Sequence, residues 1–258
     1  MDKVLLEGTE HWQIDSEHTN YLYDIKVSIP TSEPPKEGFP IYYVLDGNWY
    51  FQLARDVVKL QSQNAPKTLI APSIVVGIGH SGKEDVARKR RFLDFTPEAE
   101  AYIYPKRLNG KDIGKHGGAE KFLAFLEKEL MPRVQKRYQI NLQKQALFGH
   151  SLSGLFVIWS FFKQPNLFSC YLSISPSAWW NEYELYKEAE NFVRFPKNLH
   201  YKKLFISAGS KEGFMVEDAN HLYTALKDSV KTEIFIAQDE NHASVVPSVL
   251  SRAFRYLN

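Results

Sequence analysis

The sequence predicts an α/β architecture, a mostly parallel central sheet with helices on both faces and an antiparallel N-terminal part. Three observations predict it. From Ile41 onward, short apolar runs fit for buried strands alternate with stretches of helical length. Before that series, Tyr21 to Ile29 alternates apolar and polar residues, as a half-exposed antiparallel strand does. The chain has 258 residues and 44% hydrophobic content, enough for a sizeable core, and it shows no internal repeat, low-complexity tract or linker. One domain, 1–258, is expected.

In chain order, Tyr23, Ile25, Val27 and Ile29 form the buried side of the first strand. Pro30 to Pro40 holds four prolines and reads as a loop. Ile41 to Leu45 is a buried strand that ends at Asp46-Gly47-Asn48, and Trp49-Tyr50-Phe51 opens a helix to about Gln61. Leu69 to Ile78 is another buried strand, running into Gly77-Ile78-Gly79-His80-Ser81-Gly82. Read literally, those residues match a dinucleotide fingerprint, but that motif must open a helix with an apolar face. The residues after Gly82 are KEDVARKRR, too charged for such a face, so the reading is rejected. Ser81 ranks far below Ser151 as a nucleophile for the same reason.

Arg88 to Arg91 is a basic run entering a loop at Phe92 to Pro97; it reads either as a solvated face or as an anion-attracting rim. After Gly117-Gly118, Phe122, Phe125, Leu126 and Leu130 make one apolar helical stripe that Pro132 ends or bends. Cys170 to Ile174 is a buried strand, and Ser175-Pro176-Ser177-Ala178-Trp179-Trp180 leaves its end. The two tryptophans either floor a pocket or staple the next helix. Leu204 to Ala208 is a strand followed by Gly209 to Gly213; Met215 to Val230 is helical; Thr232 to Ala237 is the last strand, QDENHA its loop, and Ser244 to Leu257 the final helix.

The chemistry centres on Gln145–Gly154, QALFGHSLSG. An apolar strand, a sharp turn bearing Ser151 and the apolar helix LFVIWSFF make a nucleophile elbow, whose strained backbone admits only small neighbours. The usual glycine two residues after the serine is replaced by Ser153, with Gly154 next. A serine hydroxyl needs a base that titrates near neutrality, and the base needs a carboxylate to fix its tautomer. In a parallel sheet such groups gather at the carboxyl ends of the strands. His242, after the last strand, is the expected base. Glu212, in the loop after a strand, is the expected acid, with Asp218 as the alternative and a weakly supported Ser–His pair also open. The oxyanion hole is expected from the Leu152 N–H and from the 46–48 turn, at Asn48. Asp46 either contacts substrate or braces that turn.

Together VLDGNWYF, RRFLDFTP, GGAEKFLAFLEKELMP, ALFGHSLSGLF, SISPSAWW and ENHASVVP resemble the esterase D-like branch of the α/β-hydrolases, most closely its siderophore esterases that open enterobactin-type and bacillibactin-type trilactones. The resemblance runs from Tyr21 to the end. It implies Ser151 as nucleophile, His242 as base, the 46–48 turn as oxyanion loop and Arg91 beside the pocket. Substrate contacts are expected from Asp46, Arg91, Trp179 and Trp180. It implies a small-molecule ester substrate, a ferric siderophore included, and no cofactor or metal of the enzyme's own. A general acyl- or aryl-ester hydrolase or acyltransferase is the alternative enzyme. An inactive ligand-binding homologue would usually have lost Ser151 or His242.

A formal charge of +2 gives no broad field for nucleic acid or a membrane surface. No run reaches membrane-spanning length and no cleavable leader is evident, so a cytoplasmic protein, monomer or weak dimer, is expected. The single cysteine, Cys170, reads as a buried thiol.

Overall fold

The computed structural model describes residues 5–194 and 199–257. Its strands are β1 (Thr9–Ser16), β2 (Tyr21–Ser28), β3 (Phe39–Leu45), β4 (Ile74–His80), β5 (Ile140–His150), β6 (Cys170–Ile174), β7 (Leu199–Gly209) and β8 (Val230–Ala237). They form one sheet in the order β1-β2-β4-β3-β5-β6-β7-β8. β2 runs antiparallel to both β1 and β4, and every pairing from β4 to β8 is parallel.

The helices are α1 (Gly47–Gln61), the short α2 (Ala65–Thr68), α3 (Glu84–Phe95), α4 (Ala119–Phe125), α5 (Met131–Arg137), α6 (Leu152–Lys163), α7 (Glu184–Arg194), α8 (Phe214–Leu226) and α9 (Val245–Arg255). Alternate strand residues point to opposite faces, so two cores form. Tyr43, Leu147 and Ile206 face one core, with Phe95, Phe122 and Phe156 of the overlying helices. Tyr42, Phe148 and Phe205 face the other, under α1 and α9. Almost all of α6 is buried, as its apolar sequence requires.

Several elements differ from expectation; the strand read as Leu69 to Ile78, for one, spans Ile74–His80. β1 pairs along its whole length with β2, although its sequence, TEHWQIDS, is too polar to announce a strand. Of the two readings of Pro132, an end of the helix is not found: the helical run continues from α4 to Arg137. A π-helical turn, Leu126–Leu130, shifts the hydrogen-bond ladder, and the proline falls in the first turn of α5, directly after that shift. The basic run is helical: Arg88 pairs with Glu84 and Lys89 with Asp112 at the surface, while Arg90 and Arg91 turn inward onto Asp94 and Asp46. A helix this charged therefore does pack on the molecule, because its inward charges are matched. The helix read as Met215 to Val230 stops at Leu226, and Val230 already belongs to β8.

The segment from Pro176 to Tyr201 contributes α7, which packs into the helical layer. Phe192 meets Phe161 and Phe162 of α6, and Tyr186 stacks on His221 of α8 at 3.9 Å. The glycines of the rejected fingerprint serve packing. A Cβ on Gly77 would lie 2.8 Å from the Phe51 ring, and one on Gly79 would lie 2.9 Å from Asn48 Oδ1.

Candidate active site

β5 delivers Ser151 at its carboxyl end with φ 63° and ψ −118°, a conformation that costs a non-glycine residue about 1–3 kcal/mol. The small residues around it hold that strain. A Cβ on Gly149 would lie 2.3 Å from the Ser153 carbonyl oxygen, and one on Gly154 would lie 2.9 Å from that of Ile174. The Ser151 N–H donates to the Ile174 carbonyl at 3.0 Å, tying the elbow to β6.

The final loop brings His242 to this point. Its Nε2 lies 3.0 Å from Ser151 Oγ, and its Nδ1 lies 2.8 Å from Glu212 Oε2. Glu212 follows β7 with its side chain 1% exposed, whereas that of His242 is 44% exposed and reachable from solvent. The other carboxylate oxygen, Oε1, accepts from Ser175 Oγ at 2.7 Å and from the Gly209 N–H at 2.8 Å. Burial works to raise the Glu212 pKa, but hydrogen bonds from His242, Ser175 and Gly209 outweigh it and hold the carboxyl below its ordinary value. Glutamate's extra methylene thus does not leave the imidazole loosely held. Asp218 lies on α8, where its Oδ1 accepts from the Tyr186 hydroxyl at 2.6 Å.

The second strand end is the 46–48 turn, on β3 next to β5. Asp46 adopts the left-handed conformation, φ 55°, and precedes α1. A Cβ on Gly47 would lie 2.6 Å from the Gly77 backbone, so only glycine fits there. The Asn48 side chain clamps the end of β4, donating to the His80 carbonyl at 2.8 Å and accepting its N–H at 2.7 Å. At the start of α1 the Trp49 N–H donates to the Asp46 carbonyl at 2.9 Å, and at the start of α6 the Leu155 N–H donates to that of Ser151 at 2.9 Å.

Three expected substrate contacts are otherwise engaged in this structure. Asp46 is 0% exposed, so of the two readings it braces the turn. Arg91 does not offer a free charge to an anion, because its Nε and Nη2 donate to the Asp46 carboxylate at 2.7 and 2.9 Å. Trp180 is also unavailable to substrate at 1% exposure, packed against Phe92, Tyr102, Tyr104 and His116. It staples rather than floors. Trp179, half-buried beside it, keeps surface toward solvent.

Sequence reading missed several contributors. Ser177 Oγ lies 3.3 Å from Ser151 Oγ, and its N–H donates to the Ser151 carbonyl at 3.1 Å. The S-P-S spacing at a strand exit was the available signal for both Ser175 and Ser177. His150, next to the nucleophile, has its ring 4.5 Å from that of His242. Burial, then His242 and the Arg91 charge, push His150 well below the ordinary histidine value, so it stays neutral, with Nδ1 2.8 Å from the Tyr50 hydroxyl. Cys170 is buried, and burial pushes its thiol up to about 12. Among the described residues, no three His, Cys, Asp or Glu side chains converge as a metal site requires, and no helix is long and apolar enough to cross a membrane.

Comparison with known proteins gives a consistent picture. Residues 16–248 match the model of the family described as "Putative esterase". The chain is 35% identical to the ferri-bacillibactin esterase BesA of Bacillus subtilis, over 97% of this chain and 90% of that protein. It is 28% identical to a siderophore enterobactin esterase of Emericella nidulans, over 96% and 92%. Among solved structures, the BES protein of Bacillus cereus superposes with a TM-score of 0.91 at 37% identity, covering 100% of this chain and 98% of that one. The siderophore hydrolase EstA of Aspergillus nidulans does so at 0.86 and 27%, covering 100% and 97%. The sheet order and these superpositions bear out the expected α/β-hydrolase fold.

Proposed function

Because the chain belongs to the Putative esterase family and is an esterase, we propose that it cleaves its ester through a serine acyl-enzyme and that its substrate is a siderophore trilactone, free or ferric. One observation carries the serine mechanism: an unbroken hydrogen-bonded line from Ser151 through His242 to Glu212. Relatives named as bacillibactin and enterobactin esterases over nearly the whole chain support the substrate class.

In this reading His242 Nε2 takes the Ser151 proton as Oγ bonds to the ester carbonyl carbon. The imidazolium that forms is stabilised by Glu212, whose own partners keep it ionised. The carbonyl oxygen becomes an oxyanion held by the N–H groups of Leu152 and Asn48. The carbon–alkoxy bond then breaks, and the leaving alcohol takes the proton from His242. Water gives a proton to His242 as its oxygen attacks the acyl carbon; Ser151 leaves with that proton and the free acid is released. In a trilactone the first cycle opens the ring. A ferric ion travels with the substrate, and every step uses only this chain and water.

A substrate panel tests the proposal. Ser151-dependent kcat/KM for iron-free and ferric trilactones is expected to exceed that for p-nitrophenyl and aryl esters by at least about tenfold. Parity would leave a general esterase, and no difference between wild type and Ser151→Ala would remove the serine mechanism.

A further inference from the structure

We infer that Ser153 is a positioning residue: by tying the Asp46 carboxylate to the first turn of α6, it sets the spacing between the Leu152 and Asn48 N–H groups assigned to the oxyanion. The inference rests on the acyl-enzyme reading above.

Ser153 occupies the elbow position where the motif has glycine, and it is fully buried. Its hydroxyl is saturated. Oγ accepts the His150 N–H at 2.9 Å, and its one proton has two acceptors in reach, Asp46 Oδ2 at 2.7 Å and the His150 carbonyl at 2.9 Å. The carboxylate is the closer acceptor and the charged one, so it receives the proton. Arg91 holds the same carboxylate by both oxygens, Nε on Oδ1 at 2.7 Å and Nη2 on Oδ2 at 2.9 Å.

Asp46 is the N-cap of α1, and aspartate at that position commonly accepts the N–H of the second or third helical residue. Here those residues are Asn48 and Trp49. Yet Asp46 makes no side-chain cap bond to its helix. Its backbone is left-handed rather than the extended one of a capping residue, and its carboxylate is taken by Ser153 and Arg91. Ser153 also sits in the first turn of α6, beside Leu152, which supplies the other donor. One hydroxyl therefore joins the two halves of the oxyanion hole. Without it, Asp46 Oδ2 keeps only its Arg91 bond, and the gap between α1 and α6 loses a tie.

The test uses the whole protein with Ser153→Ala and Ser153→Gly, assayed with a p-nitrophenyl ester and with an aryl boronic acid, which forms a tetrahedral adduct on a serine. Both variants are expected to lower kcat about 10- to 100-fold while KM stays within about twofold, and to weaken the boronic acid by the same factor as kcat. The glycine variant adds no bulk, so it decides the matter if the alanine variant is unstable. A folded Ser153→Gly with wild-type kcat overturns the inference, as does a loss that appears in KM alone or leaves boronic acid affinity unchanged. A wild type without Ser151-dependent turnover brings down the acyl-enzyme reading together with this one. Wild-type turnover beside an unaffected Ser153→Gly removes this inference only.

Discussion

Glu212 grips His242 from a socket of its own: one carboxylate oxygen meets Nδ1 at 2.8 Å, and the other is held by Ser175 and the Gly209 N–H. The imidazole is thus oriented by a group that cannot turn away. Glu212→Gln keeps the shape but removes the charge that stabilises the imidazolium. It is expected to lower kcat by about 10²- to 10⁴-fold with little change in KM. Ser175→Ala removes one of the two holds and should cost about tenfold or less. Steady-state kinetics on a p-nitrophenyl ester checks both. Equal kcat for Glu212→Gln and wild type would exclude the acid role.

The same carboxylate sets a pH dependence of stability. Its folded pKa lies below the ordinary 4.5, so the stabilisation is complete above that value. It is lost as pH falls from about 4.5 through the lowered folded value. The Tm gap between wild type and Glu212→Gln should therefore be constant near neutrality and shrink in acid. A gap that widens in acid would contradict this assignment.

Arg91 and Asp46 form a buried ion pair at the base of the oxyanion turn, with side chains 18% and 0% exposed. Arg91→Leu leaves a buried carboxylate without its charge partner and is expected to destabilise by about 3–5 kcal/mol. Thermal melts read this out. A variant with unchanged Tm and only a raised KM would restore Arg91 as a substrate contact.

Trp180 lies within a cage of rings, so Trp180→Ala is expected to cost about 3–5 kcal/mol of stability. Denaturant titration checks it. A variant that keeps wild-type stability but loses affinity for aromatic esters would place Trp180 in the pocket after all.

What the sequence disclosed and what it hid divide along physical lines. The elbow was legible because its strain leaves a local record, Gly149 and Gly154 around Ser151 between an apolar strand and an apolar helix. Glu212 and His242 were legible because parallel strands gather their exits at one edge. The inward turn of Arg91 was not, because it is neutralised by a partner that only folding brings close: Asp46 is 45 positions away. The polar β1 was hidden likewise, since its strand character comes from pairing with β2 rather than from its own composition. Ser153 looked like a tolerated small residue; its tie to Asp46 spans 107 positions.

The central claim is that Ser151 is the nucleophile and His242 its base. Peptide mapping after reaction with a fluorophosphonate tests it most directly. A single adduct on Ser151 is predicted, with a labelling rate lowered by at least about 100-fold in His242→Ala. An adduct on Ser177 or Ser81 instead, or labelling of Ser151 that is indifferent to His242, would contradict it.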